Sequence, residues 1–248
     1  MELKAFFEEN PKLALAFSGG VDSAYLLYAA VSFGADVKAY YVKTPFQPAF
    51  EHEDALRLSR ELGAEMVTIH LDVLSDNSIA ENPKNRCYFC KKRIFNAILD
   101  QARADSYTLV IDGTNASDDA SDRPGMVALK ELSVRSPLRE AGLTKAEIRK
   151  LSKEANLFTH DKPAYACLAT RIPTGTAITT EKLAVTERNE AFLRKLGFRD
   201  FRIRFSGSAA KLQVAEKELP LLLQKRDAIL SHLKNDYTDV LLDLEVRE

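Results

Sequence analysis

The first two thirds of the chain alternate between short apolar runs and longer stretches in which apolar residues recur at helical spacing. The apolar runs predict buried strands at residues 13–17, 36–42, 65–71 and 107–111. The helical spacing predicts a helix from residue 22 onward and further helices at residues 51–62, 91–104 and 144–155. Because strands alternate with helices, the pattern predicts βαβ units and an α/β fold with a parallel sheet.

The pattern changes near residue 165. A segment rich in Pro, Gly and Thr is followed by helices predicted at residues 181–196 and 216–233, and by strands predicted at residues 198–205, 211–215 and 240–246. We therefore expect three parts: an α/β domain at residues 1–165, a linker at 166–180 that carries a cysteine, and a smaller α+β domain at 181–248.

The most informative motif is SGGVDS, which lies where the first strand turns into the first long helix. Glycines let a backbone approach a ligand closely, and the N–H groups of a helix start attract phosphate. The candidate phosphate-binding residues are therefore Ser18, Gly19, Gly20, Val21, Asp22 and Ser23. Asp22 could also hold a magnesium ion beside the phosphates. The motif is not a Walker P-loop, because no Gly-Lys-Ser/Thr follows the glycines.

A second polar motif, DGTNASD, follows the strand predicted at residues 107–111. The carboxyl ends of parallel strands lie at one edge of a sheet, so this loop should lie beside SGGVDS. We expect Gly113 and Thr114 to contact the nucleotide. The alternative is a turn rich in Asn and Asp that binds no ligand.

Three cysteines are the next candidates, with Cys87 and Cys90 in a CxxC motif and Cys167 far downstream. Such thiolates can form a redox couple, a zinc site with His160 as fourth ligand, or iron–sulfur ligands. They can also be inert. Three cysteines on a four-iron cluster would leave one iron free to bind an exogenous ligand such as hydrosulfide.

Charged residues in the C-terminal part form another candidate binding site. Arg202 and Arg204 share one face of a predicted strand, where they form either a clamp for an anion or a solvated surface. Arg171 could join the same site. Glu190 lies on the preceding helix and could hold magnesium or face solvent.

Composition narrows the functional classes. The 248 residues are 46% hydrophobic and 29% charged with a net charge of −1, which argues against a surface coated in positive charge for nucleic acid. The longest apolar stretch is too short for a membrane span, and the first residues do not resemble a secretory signal. We therefore expect a cytoplasmic protein without membrane or nucleic-acid partners.

The motif SGGVDS resembles the PP-loop of the ATP-pyrophosphatase families, whose domain is of the adenine nucleotide alpha hydrolase-like (HUP) type. Together with NRCYFCKKRIF, DGTNASD, RSPLREAGLTKAEIRKLSKEANL, KPAYACLATRIPTG and RIRF, it resembles the LarE family over residues 10–246. LarE proteins are ATP-dependent sulfur-insertion enzymes that build the nickel-pincer nucleotide cofactor of lactate racemase-type enzymes. The resemblance implies a PP-loop domain, a smaller C-terminal domain and a homo-oligomer.

The resemblance also implies a reaction. With ATP and Mg²⁺, the enzyme would adenylate the carboxylates of pyridinium-3,5-biscarboxylic acid mononucleotide, and hydrosulfide or a sulfur carrier would convert them to thiocarboxylates. Arg202 and Arg204 would bind the substrate phosphate. In some relatives a lone cysteine matching Cys167 gives up its sulfur, whereas in others three cysteines hold a [4Fe-4S] cluster. With Cys87, Cys90 and Cys167 all present, we expect the cluster.

The sequence motifs are also compatible with three other functions. A PP-loop tRNA thiolase can also carry three cysteines, but it would need a basic RNA-binding surface. A synthetase of the NAD- or GMP-forming kind shares SGGVDS but has no use for the cysteines. A nucleotide sensor without catalysis would bind ATP and release no pyrophosphate.

Overall fold

A computed structural model describes residues 2–118 and 124–246. In its N-terminal half the elements are α1 (Leu3–Glu9), β1 (Lys12–Ala16), α2 (Val21–Ser32), β2 (Asp36–Lys43), α3 (Ala49–Glu61), β3 (Glu65–His70), α4 (Asn77–Ala80), α5 (Arg86–Ala104) and β4 (Val110–Asp112). The remaining elements are α6 (Pro124–Glu131), α7 (Pro137–Glu140), α8 (Lys145–Glu154), α9 (Thr180–Lys195), β5 (Phe201–Ser206), β6 (Ala209–Val214), α10 (Leu219–Gln224), α11 (Arg226–Leu233) and β7 (Val240–Leu242). Short 3₁₀ helices lie at Phe158–Asp161, Leu168–Arg171 and Glu216–Glu218.

The chain divides into two compact units. The first consists of Met1–Val73 and Asn85–Ala164, and the second of Leu74–Lys84 and Tyr165–Glu248. The short segment with α4 thus belongs to the C-terminal unit, whereas the sequence suggested one contiguous domain up to residue 165. Two hydrogen bonds explain its place: Gly175 N–H donates to the Asn82 carbonyl, and Ile178 N–H donates to the Ala80 carbonyl.

The first unit is built on a parallel four-stranded sheet in the order β3-β2-β1-β4, so the predicted α/β class with a parallel sheet is confirmed. Leu15 of β1 lies in register with Ala39 on one side and Ile111 on the other. Side chains alternate across the sheet, and β1 is buried on both faces. Leu13 and Leu15 therefore enter one apolar core, while Ala14 enters the other.

Helices cover both faces of this sheet. The core that contains Leu13 includes residues of α1, α2, α3 and α8. The core that contains Ala14 includes Phe95 and Ile98 of α5 and Leu129 of α6. The strand order reverses at β1, because β2 lies on one side of it and β4 on the other. In open α/β sheets such a reversal leaves a crevice at the carboxyl ends of the strands, where ligands bind.

The second unit contains a three-stranded sheet in the order β5-β6-β7. β5 and β6 form an antiparallel hairpin whose turn includes Gly207, with a φ of 61°, and β7 pairs parallel to β6. Its core packs Leu193 of α9 and Leu233 of α11 on Ile203 and Leu212 of the sheet.

Several element boundaries differ from the pattern-based expectation. The helix predicted at residues 91–104 begins at Arg86, so the CxxC motif is helical. The single helix predicted at residues 216–233 is wrong: a 3₁₀ turn and two helices replace it, with a break at Lys225. Pro220 lies in the first turn of α10, a position that favours a new helix start over continuation. Within the described residues, none of the helices has the length and apolar content needed to cross a bilayer.

Candidate functional site

A cavity of about 300 Å³ opens at the carboxyl ends of β1 and β4 in the first unit. The loop after β1 lines it with Ser18, Gly20, Asp22 and Ser23. The loop after β4 lines it with Asp112, Gly113, Thr114 and Asp118. Lys91 and Phe95 of α5 complete the wall together with Ala16. The two polar motifs therefore meet at one edge of the sheet, as the parallel order predicted, and the volume lies at the lower end of the range for small-molecule sites.

The SGGVDS loop is held in a compact turn by its own serines. The hydroxyls of Ser18 and Ser23 lie 3.1 Å apart, and the Ser23 hydroxyl donates to the Gly20 carbonyl at 3.2 Å. Gly19 has a φ of 72°, and a Cβ there would lie 3.1 Å from the Cβ of Ala55. α2 begins at Val21, and no side chain among the described residues caps its first turn. The N–H groups of that turn are thus available to an anion.

Gly113 brings the second loop against the start of α2. A Cβ at this position would lie 2.9 Å from the Ser23 amide nitrogen and 3.1 Å from the Ser23 Cα. These are backbone atoms of a helix, which cannot move aside cheaply. Only glycine therefore permits this approach of the two loops.

Asp112 fixes the conformation of the second loop rather than facing the cavity with free oxygens. Its carboxylate accepts hydrogen bonds from the Ser136 hydroxyl at 2.6 Å and from the Thr114 hydroxyl at 2.5 Å. The Thr114 amide also donates to it at 3.3 Å. The Asn115 side-chain oxygen accepts from the Ser117 backbone N–H at 2.8 Å, which forms an Asx turn, and Asp118 accepts from the Asn115 backbone N–H at 2.9 Å.

Asp22 forms an ion pair with Lys145, the first residue of α8. Thr144 and Glu147 form a capping box at this helix start, and hydrogen bonds from Thr144 lower the pKa of Glu147. The Lys145 backbone N–H donates to the Ser117 hydroxyl at 3.0 Å, which fixes the start of α8 beside the second loop.

The second carboxylate oxygen of Asp22, Oδ1, is buried and has no hydrogen-bond partner among the described residues. A buried, unsatisfied carboxylate oxygen at the cavity fits a magnesium ligand.

Lys145 and Lys91 are candidate residues that the sequence analysis missed. The helical spacing predicts a helix at residues 144–155 and gives the Lys145 side chain no role. Lys91 was assigned only to an amphipathic helix. Both lie far from SGGVDS in the chain, so only the folded structure brings them to it.

The cysteines are divided between the two units. Cys87 and Cys90 lie one turn apart near the start of α5, on one face of the helix, and Cys87 is exposed. Cys167 immediately precedes a 3₁₀ helix of the second unit. Within either unit, the described residues include no group of three or more His, Cys, Asp or Glu side chains arranged to hold a metal ion. Cluster ligation and the zinc alternative with His160 both remain predictions.

The Cys167 backbone is held by a buried ion pair in the second unit. Arg171 donates to Glu190 at 2.8 and 3.1 Å, and the two side chains are 0% and 1% exposed. Arg171 also donates to the carbonyls of Ala166 and Cys167 at 2.9 and 3.4 Å. Burial acts to lower the pKa of Arg171, but the hydrogen bond and charge of Glu190 outweigh it and raise the pKa.

This arrangement argues against the expected magnesium role of Glu190. Its carboxylate accepts hydrogen bonds from Arg171, from the Tyr165 hydroxyl at 2.6 Å and from the Ile203 amide at 3.1 Å. The Glu190 carboxylate is buried, and the neighbours named here are hydrogen-bond donors that already occupy its oxygens. Glu190 instead neutralises Arg171 and connects α9 to β5.

Arg202 and Arg204 project from β5 into the same neighbourhood. The guanidinium of Arg202 lies 5.1 Å from the centroid of the Tyr165 ring, and that of Arg171 lies 4.7 Å away. Arg204 donates to the Thr170 carbonyl at 2.7 Å and to Gln213 at 2.5 Å. Burial and the charge of Glu190 raise the pKa of Tyr165, so its hydroxyl stays protonated. The structure thus gathers arginines around one ring, although each contacts neighbouring protein groups.

Relatives from several organisms match almost the whole chain. The pyridinium-3,5-bisthiocarboxylic acid mononucleotide synthase of Lactiplantibacillus plantarum is 32% identical over 98% of this chain and 89% of its own length. The chain belongs to the LarE family. An uncharacterized protein of Synechocystis is 34% identical over 98% of this chain and 92% of its own length.

A more distant relationship places the LarE fold in a wider superfamily. The tRNA-specific 2-thiouridylase MnmA of a Thermotoga species is 25% identical over 61% of this chain and 54% of its own length. This supports membership of the PP-loop superfamily, and the relatives point to an enzyme of the sulfurtransferase type. No family model matches the chain.

Gly113→Ala tests the close approach of the two loops. We expect the free energy of unfolding to fall by about 1–3 kcal/mol, because the new methyl group meets helix backbone. Urea unfolding measures the change. Gly125→Ala is the matched control, since its Cβ would meet only the flexible end of Lys91 and should leave stability nearly unchanged. Equal stability of Gly113→Ala and the wild type would contradict the close approach.

Glu190→Ala tests the structural role of the buried carboxylate. Removing it leaves the Arg171 charge buried without its partner, so we expect a loss of about 3–5 kcal/mol of stability. Chemical denaturation of this variant should be compared with that of Glu181→Gln, an exposed change on the same helix that should cost below about 1 kcal/mol. A loss as small as in the control would mean that the pair carries little of the stability.

Proposed function

We propose that this LarE-family protein is an ATP-dependent sulfur transferase that converts the carboxylates of pyridinium-3,5-biscarboxylic acid mononucleotide into thiocarboxylates. One observation carries the proposal: the cavity at the β1–β4 reversal, lined by uncapped helix N–H groups, occurs in a chain whose full-length relative is named for the bisthiocarboxylic product. The substrate is thus a small-molecule nucleotide.

The first half-reaction forms an acyl-adenylate. A substrate carboxylate oxygen attacks the α-phosphorus of ATP, the bond from that phosphorus to the bridging oxygen breaks, and pyrophosphate leaves with the electron pair. The α2 N–H groups would bind the negative charge that develops on the phosphates. Asp22 would hold Mg²⁺ through its buried Oδ1, and the ion would supply further charge neutralisation. Lys145 would then be released from Asp22 toward the phosphates.

The second half-reaction replaces oxygen by sulfur. Hydrosulfide attacks the acyl carbon, and the bond from that carbon to the AMP oxygen breaks with its electron pair on AMP. A carrier would have to hold sulfur at the same sulfide level, so that the bond from carrier to sulfur breaks with its electron pair on the sulfur and no reductant is needed. With hydrosulfide, one proton is lost to solvent and a thiocarboxylate remains. Repeating both steps on the second carboxylate gives the bisthiocarboxylic product.

The cysteines and arginines would supply the remaining functions. Thiolates at Cys87, Cys90 and Cys167 would hold a [4Fe-4S] cluster, which when bound would carry sulfur for transfer. The i, i+3 spacing of the first two on α5 suits joint ligation. Arg202 and Arg204 would bind the substrate phosphate, supported by the concentration of guanidinium groups around Tyr165.

Substrate-dependent pyrophosphate release tests the proposal. With Mg²⁺, ATP and pyridinium-3,5-biscarboxylic acid mononucleotide, the wild type should release pyrophosphate, and added sulfide should yield the thiocarboxylate by mass spectrometry. Lys145→Met should slow release by roughly tenfold or more, because it removes a charged partner of the nucleotide site. Lys150→Met is the matched control, since Lys150 is 79% exposed on the same helix.

Two outcomes would contradict the proposal. Pyrophosphate release stimulated by bulk tRNA, and not by the pyridinium nucleotide, would favour a tRNA thiolase like the MnmA relatives. ATP binding with no release on either substrate would indicate a sensor.

The sulfur carrier is tested separately by metal analysis of anaerobically purified protein. We expect iron and acid-labile sulfide in a ratio of about one to one and broad visible absorption. Single Ala variants at Cys87, Cys90 and Cys167 should each lower the iron content. Stoichiometric zinc would contradict the cluster, as would iron-free protein in which Cys167 has lost the mass of hydrogen sulfide after turnover.

A further inference from the structure

Lys91 reaches the cavity along a path that one glycine leaves open. Its side chain extends from α5 over Gly125 of α6, and a Cβ on Gly125 would lie 2.8 Å from the Lys91 Cδ and 3.1 Å from its Cε. Gly125 is buried and has no left-handed φ, so its helical backbone does not itself require glycine. The missing Cβ instead makes room for the lysine stem.

Lys91 is also the cationic residue among the described side chains that line this cavity. No hydrogen bond or ion pair joins it to another described residue. The neighbouring Lys92, in contrast, bonds the Tyr88 hydroxyl and the Glu131 carboxylate, each at 3.1 Å. Lys145, the other lysine near SGGVDS, is already paired with Asp22.

The direction of approach defines what Lys91 can bind. The start of α2 borders the cavity from one face of the sheet, and α5 packs on the opposite face. An anion in the cavity is therefore contacted by helix N–H groups on one side and by an ammonium group on the other. A single phosphate can bind either the helix N–H groups or the ammonium group. A diphosphate offers oxygens to both and carries more charge.

We propose that Lys91 binds the β- and γ-phosphates of ATP, which leave as pyrophosphate, and that Gly125 sets the path of its side chain. This inference rests on the proposed function, since it assigns a further contact in the same nucleotide site. Lys91 stabilises the leaving group by charge and hydrogen bonding and transfers no proton.

Isothermal titration of the full-length protein tests this assignment with three probes: Mg·ATP, Mg·pyrophosphate and AMP. Lys91→Met should weaken Mg·ATP and Mg·pyrophosphate by about tenfold or more and leave AMP unchanged. Lys92→Met should leave all three affinities unchanged, because its ammonium group is engaged with Tyr88 and Glu131.

Gly125→Ala provides a second test that keeps the lysine. The added methyl displaces only the flexible Lys91 side chain, so we expect weaker Mg·pyrophosphate binding at an unchanged or raised melting temperature. Unchanged binding in Lys91→Met, or equal weakening of AMP and pyrophosphate, would overturn the inference. If Lys91→Met weakens pyrophosphate binding but the wild type forms no thiocarboxylate, the inference stands and the proposed sulfur transfer fails.

Discussion

The cavity depends on the close approach of Gly113 to the backbone of Ser23. The parallel sheet reverses its strand order at β1, and this reversal separates the loops that follow β1 and β4 by one strand spacing. A side chain at position 113 would hold the second loop away from the start of α2. Without it, the loop settles against the helix, and Asp112 locks it there through Thr114 and Ser136. The geometry proposed for anion binding is thus set by the backbone of the two loops.

An ion pair neutralises buried or partly buried charges within each unit. In the first unit Lys145 pairs with Asp22. In the second, Arg171 is buried against Glu190 while it also holds the Cys167 carbonyl. The two pairs differ in burial: Lys145 and Asp22 are 35% and 21% exposed, so they can separate at little cost. The buried pair cannot do so cheaply, because separating it would leave a charge in an apolar environment, and its role is therefore structural.

Features encoded locally were predictable from the sequence, and features that depend on tertiary contacts were not. β1, β2 and the SGGVDS turn follow from a continuous apolar run that ends in glycines, and the capping box of α8 follows from Thr144 and Glu147. The function of Lys145 could not be read in the same way, because its partner Asp22 is more than a hundred positions away. Glu190 was expected either to hold magnesium or to face solvent, and its burial depends on contacts with Arg171 and β5. The helix start at Leu219 could have been anticipated from Pro220, which lies in the first turn of α10.

One rigid element connects the two kinds of chemistry proposed for this protein. Cys87 and Lys91 are four positions apart on α5, so their side chains lie on the same face with Cβ atoms roughly 6 Å apart. Lys91 lines the cavity, and the exposed Cys87 lies one helical turn before Lys91 on α5. An acyl-adenylate is hydrolysed when water reaches it before the intended nucleophile. A sulfur carrier anchored one helical turn from the phosphate-binding residue would shorten that interval, which gives a physical reason for a CxxC motif to begin the helix that also carries Lys91.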